Sequence, residues 1–144
     1  MKIKPIEGAQ APSRQPIPAF SSGVSAGFPS PADDYIESTI DLNEHLIKRP
    51  AATFFARANG DSLMEIGIKD GDLLIIDRSV TPSQNDVVVV ALNGDMTCKI
   101  LDLRNKQLLA ANRGYQPIAI NDDLDVLIEG VVTHSIRYHH VRTG

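Results

Sequence analysis

The dipeptide Asn93-Gly94 constrains this chain more than any other feature. It stands between two apolar runs, Val87-Val88-Val89-Val90-Ala91-Leu92 and Asp95-Met96-Thr97-Cys98-Lys99-Ile100-Leu101. A type I′ turn needs positive φ at both central residues, which Asn-Gly supplies, so a two-residue hairpin is expected here. That loop length lets the register be written down. Leu92 faces Asp95, Val90 faces Thr97 and Val88 faces Lys99, while Ala91, Val89 and Val87 face Met96, Cys98 and Ile100. Alternation then sends Lys99 to the face of Val88, Val90, Thr97 and Leu101. Both faces of the strand are apolar, so Lys99 has no obviously solvated side.

Two readings of that lysine are open. Its stem can lie on the sheet while the ammonium reaches water. Alternatively, an apolar pocket holds it, desolvation disfavours the charged form, and the neutral amine can take a proton from a nearby hydroxyl. The neighbouring Cys98 points to the opposite face and reads as core rather than as a nucleophile.

The rest of the chain from Ile40 onward carries the same signature of short strands. Thr53–Ala58 and Leu73–Asp77 are candidate strands, the second entered through the turn Lys69-Asp70-Gly71-Asp72. Further strands are expected at Gln107–Ala111 and Asp125–Tyr138, the latter long enough to bend. Only Leu42–Lys48 in this region looks helical. The fold class is therefore mostly β. Ser62 is the hydroxyl to consider beside Lys99: it lies in Gly60-Asp61-Ser62-Leu63-Met64, where glycine permits a tight turn and the backbone N–H groups of Asp61 and Ser62 can face an oxyanion.

Residues 1–38 differ in character. Six of the nine prolines fall there, at positions 5, 12, 16, 18, 29 and 31, among Ser, Gly, Ala and Gln. Proline fixes φ and removes a donor, so an extended, flexible arm is expected, followed by one domain over 39–144. A turn of helix after Pro31, over Ala32–Glu37, fits the pattern.

Composition bounds the function. With 144 residues and a net charge of −4, the chain supports one compact domain and offers no electropositive surface for a phosphate backbone, so direct DNA binding is not expected. No apolar run approaches the roughly 20 residues of a membrane span, and the N-terminus lacks a secretory apolar stretch. The single cysteine cannot close an internal disulfide. A cytoplasmic protein is expected. His134, His139 and His140 lack a fourth ligand at metal-site spacing, so neither metal nor cofactor is expected.

Taken together, Gly60-Asp61-Ser62-Leu63-Met64, the following Gly67-Ile68-Lys69-Asp70-Gly71-Asp72-Leu73-Leu74-Ile75, and a lysine 37 residues after Ser62 resemble the LexA/UmuD-type self-cleaving serine peptidases. Gly130-Val131-Val132-Thr133 resembles the family's closing strand, and Ser25-Ala26-Gly27-Phe28-Pro29-Ser30-Pro31 its cleavage segment. Leu63 departs from the methionine common after the serine, a swap of similar volume. The resemblance implies a rolled, incompletely closed β barrel of the LexA/signal-peptidase type. It implies Ser62 as nucleophile, Lys99 as general base and Ala26–Gly27 as the scissile bond. Only 26 residues precede that bond, too few for a helix-turn-helix domain, which points to the UmuD-like branch and its plasmid-borne relatives. That branch implies a homodimer, RecA filaments on single-stranded DNA as activator, and a UmuC-type translesion polymerase as partner in the SOS response. The alternatives are a non-catalytic β module acting only as an accessory dimer, and a signal-peptidase-like enzyme acting on other proteins.

Overall fold

The computed structural model describes residues 2–6, 14–20, 36–121 and 126–140. In chain order they form β1 (Lys2–Ile6), β2 (Ile17–Phe20), β3 (Ile36–Ile40), α1 (Leu42–Leu46), β4 (Thr53–Asn59), β5 (Leu73–Asp77), β6 (Val87–Leu92), β7 (Asp95–Asp102), β8 (Gln107–Leu109), β9 (Ile118–Ala119) and β10 (Val126–Ile136), with 3₁₀ turns at Pro50–Ala52 and Met64–Ile66. Two units result. One combines β1 with the chain from Arg49 onward, and the other contains β2, β3 and α1.

In the larger unit, eight strands order as β1-β4-β5-β10-β6-β7-β8-β9, with antiparallel pairings. β1 also meets β7 through Lys2 and Thr97, so the sheet rolls back on itself as expected of a mostly-β, barrel-like fold. The β6–β7 hairpin has the six pairs written above, and its turn residues Asn93 and Gly94 sit at φ 50° and 89°. β10 does bend. Its first half pairs with β6 and its second with β5, with register shifts between Ile128 and Gly130 and between Val132 and His134.

The pleat sends alternate residues into two clusters. One holds Ile3, Phe54, Ala56, Ala58, Leu63, Leu74, Ile76, Val89 and Cys98, and the other Val88, Val90, Leu101, Leu108 and Val131. β6 and β7 contribute to both, which is why their sequences are apolar on both faces. Burial pushes the Cys98 thiol up to about 12, in keeping with a core residue.

Several elements differ from expectation. Lys2–Ile6 was read as part of an extended arm, yet it is a strand. Lys2, Ile3 and Lys4 alternate as a half-buried strand does, and Pro5 is tolerated because an edge strand has a side that needs no donor. Ile36 and Glu37, expected at the end of a helical turn, belong instead to β3, which pairs with β2 from Ile17↔Ile40 to Phe20↔Ile36. α1 ends at Leu46 rather than Lys48; its N-cap is Asp41, whose carboxylate accepts from the Asn43 N–H at 3.1 Å. β8 stops at Leu109 because Ala111 leaves the sheet to bond Ser62 and Glu65. Among the described residues, no helix is long and apolar enough to cross a membrane.

Two substitutions probe this framework. A Cβ at Gly130 would lie 2.7 Å from Ile76 Cγ2 and 3.2 Å from the Asp77 carbonyl oxygen. Because Ile76 is fully buried and β-branched, Gly130→Ala should cost about 1–3 kcal/mol in denaturant unfolding. Arg137 donates to Asp72 through Nε at 3.1 Å and Nη2 at 2.8 Å, and also to the Gly67 carbonyl. Burial raises the Asp72 pKa, but the bonds from Arg137 and from the Lys69 N–H outweigh it and leave the carboxyl below its ordinary range. A depressed carboxyl stabilises the fold above its unfolded value near about pH 4, and that stability is lost as pH falls through the lower folded value. Arg137→Ala should therefore lower stability by about 1–3 kcal/mol at neutral pH. It should lower it distinctly less near pH 2, as measured by urea unfolding at both pH values.

Candidate active site

The turn bearing Ser62 is built by its neighbours. β4 runs directly into Gly60, whose φ of 106° is a conformation that L side chains rarely adopt. The Gly60 N–H donates to Asp70 Oδ1 at 2.8 Å, the Gly71 N–H to the Ala58 carbonyl at 2.8 Å, and the Ala58 N–H to the Asp72 carbonyl at 2.9 Å. The Gly-Asp-Ser and Lys-Asp-Gly-Asp turns are thus laced to one another, which gives a physical reason for their occurring together. On the other side, the Ala111 N–H donates to the Ser62 carbonyl at 2.7 Å and the Glu65 N–H to the Ala111 carbonyl at 2.9 Å. Ser62 is fully buried, and its Oγ has no hydrogen-bond partner among the described residues. A buried hydroxyl normally finds one.

Lys99 lies where the hairpin register puts it. It is 8% exposed, opposite Val88, with Thr97 and Leu101 buried on the same face. Its head does not extend into bulk water. It lines a cleft of about 480 Å³ with Lys2, Asn59, Gly60, Asp95, Thr97 and Tyr115. The cleft therefore brings Lys99 to the start of the Ser62 turn, through Gly60, while Ser62 itself is covered. Ala26 and Gly27 lie outside the described residues.

Two residues here were not singled out from the sequence. The Tyr115 ring centroid is 5.3 Å from Lys99 Nζ, and its hydroxyl donates to Asp61 Oδ1 at 2.9 Å. Asn112 Nδ2 donates to the Asp61 carbonyl at 2.9 Å. The Tyr115 side chain thus touches both the residue before the serine and the lysine. The bond to Asp61, and then the nearby carboxylate charge, raise the phenol above the usual tyrosine range. The only sequence signal for this pair is the polar, Gly-containing stretch Asn112-Arg113-Gly114-Tyr115, which marks a turn and nothing more.

Chemically, the arrangement offers a sheltered amine, a hydroxyl held on a tight turn, and backbone N–H groups on that same turn. Among the described residues no group of three or more His, Cys, Asp or Glu is placed to hold a metal ion. The model for the Peptidase S24-like family matches residues 18–133. Protein SamA of Salmonella typhimurium is 44% identical over 128 residues, which cover 85% of this chain and 89% of SamA. Protein MucA of Escherichia coli is 38% identical over 143 residues, 98% of each chain. LexA repressor 2 of Pseudomonas syringae pv. tomato is 36% identical over 137 residues, 94% of this chain and 67% of the repressor. With a matched model over most of its length and relatives aligned almost end to end, the chain belongs to the Peptidase S24-like family, in its UmuD-like branch.

Proposed function

We propose that this protein is a serine peptidase that cuts its own chain once, between Ala26 and Gly27, with Ser62 as nucleophile and Lys99 as general base. The observation that carries the proposal is the sheltered Lys99 amine in a cleft that opens beside the Ser62 turn. Neutral Lys99 takes the proton from Ser62 Oγ, and the oxygen attacks the Ala26 carbonyl carbon. The N–H groups of Asp61 and Ser62 stabilise the resulting oxyanion. The C–N bond then breaks, the Gly27 amine leaves with the proton that Lys99 carried, and water hydrolyses the Ser62 ester to free the enzyme.

Because substrate and catalyst belong to one polypeptide or one dimer, docking of the arm replaces a bimolecular encounter. The covered Ser62 means that cutting proceeds from a minor state, and a partner that binds that state selectively raises its population without adding a chemical group. RecA filaments on single-stranded DNA fill that role in this proposal. The trimmed product, residues 27–144, then serves as the accessory subunit of a UmuC-type translesion polymerase in the SOS response, as a cytoplasmic homodimer.

Ser62→Ala and Lys99→Ala should each leave the chain whole while thermal unfolding stays within a few degrees of the parent. Lys99→Arg should be as inactive as the alanine variant, because guanidinium does not give up its proton. Mass spectrometry of each purified variant, with and without activated RecA filament, checks this through the fragment beginning at Gly27. A variant that still releases that fragment removes its residue from the mechanism.

Alkaline pH supplies the neutral amine directly. Cleavage without any partner should therefore be faster at alkaline than at neutral pH, as expected for a base that acts without its proton. Initial rates at graded pH measure the slope, and a flat profile excludes a lysine base.

A further inference from the structure

β1 is joined to the larger sheet by little material. Five residue pairs, Lys2↔Asn59 through Ile6↔Phe55, tie it to β4, and Lys2↔Thr97 ties it to β7. Its described inward anchor is Ile3, 8% exposed, in the cluster that contains Ala56, Ala58 and Cys98. The small side chains of Ala56 and Ala58 leave room for a branched residue there, while Lys2 and Lys4 are exposed. On its other side β4 is paired with β5. Removing β1 would therefore strip one whole edge of β4 and leave an apolar slot one isoleucine wide.

Residues 1–26 contain the whole of β1. A cut after Ala26 breaks the covalent path that keeps this strand at high local concentration, and the five pairs to β4, the one pair to β7 and the Ile3 anchor must then hold a free fragment. An edge left bare beside an apolar slot is a template for another strand. We propose that the β4 edge is a strand-docking site whose occupant, the chain's own residues 2–6, binds as an exchangeable strand, so that the same segment can dock from a separate molecule and the proposed cut can vacate the edge. The occupant places an aliphatic residue in the Ile3 slot, with polar or basic residues on either side, antiparallel to Phe55–Asn59. The vacating step rests on the proposed cleavage; the strand-accepting property of the edge does not.

The test uses the full chain carrying Ser62→Ala, which stays uncut, with and without Ile3→Asp. The probe is a synthetic peptide of residues 1–8, and the readout is amide hydrogen exchange over 55–59. In the Ile3→Asp chain, exchange at the β4 amides that face β1 should rise by about tenfold or more. The peptide should restore protection saturably, and a peptide bearing the same Asp should not. The parent, whose site is filled, should ignore both peptides. Unchanged exchange in Ile3→Asp, or no restoration by the peptide, overturns the proposal. A sedimentation mass above that of the parent, with β4 protected in the absence of peptide, overturns the assignment in favour of the edge of a second copy. A chain deleted for residues 2–6 repeats the test should Ile3→Asp unfold. Unfolding of both overturns it, since a strand the fold cannot lose is not one that cleavage can vacate. The peptidase assignment stands or falls separately, on the Gly27 fragment from the chain that retains Ser62.

Discussion

An ammonium loses favourable hydration when it is drawn out of water, and the β6–β7 hairpin draws one in. Lys99 sits between Val88 across the strand and Thr97 and Leu101 along it, all of them buried. The placement depends on the turn. Because side chains alternate with period two, a slip of one residue at Asn93-Gly94 would carry Lys99 to the face of Cys98 and bring Cys98 to the cleft. The two positive-φ residues of the turn make that slip costly, so a local conformational preference at 93–94 fixes which side chain enters a cleft some five residues away.

The hydroxyl depends on longer-range lacing. Gly60 is held by Asp70, and the turn containing Asp70 is held in turn by Asp72 and its bidentate pair with Arg137 at the end of β10. Ser62 is held from the other side by Ala111, which leaves β8 to reach it. The Ser62 turn is therefore braced by three separate stretches of chain, and disturbing Arg137 or Ala111 would be felt there without contact with any reacting atom. Tyr115 adds a link of another kind. Its ring faces an amine and its hydroxyl engages the carboxylate before the serine, so movement of the 112–115 turn would alter both sides of the cleft together.

Much of the larger unit was legible because its signals are local. Val87–Leu92, Leu73–Asp77 and the hairpin register follow from apolar runs bounded by turn residues, and the long final strand announced its bend by its length. Lys99 stood out because a charge interrupted an otherwise apolar two-sided strand. What could not be read is what depends on partners distant in sequence. The segment Lys2-Ile3-Lys4-Pro5-Ile6 is too short and too proline-rich to declare itself a strand; it becomes one because β4, more than 45 residues on, presents an edge with two alanines. Tyr115 and Asn112 reach residues more than 50 positions earlier from a stretch with no periodicity. The scissile pair Ala26 and Gly27 rests on resemblance alone, since it lies outside the described residues.

The proposed self-cleavage would change what such a site must be good at. An enzyme acting on foreign proteins selects them with pockets, whereas a chain that acts on itself is selective by connection and needs protection from its own reactivity between events. The cleft mixes polar residues, among them Lys2, Asn59, Asp95 and Thr97, with the larger side chains of Leu92, Tyr115 and Ile118. The Ser62 hydroxyl is covered and has no partner among the described residues, a state that costs about 1–3 kcal/mol for a buried polar group. Any rearrangement that brings a proton acceptor to that oxygen would recover part of the cost, and the proposed cleavage calls for just such an approach of the Lys99 amine.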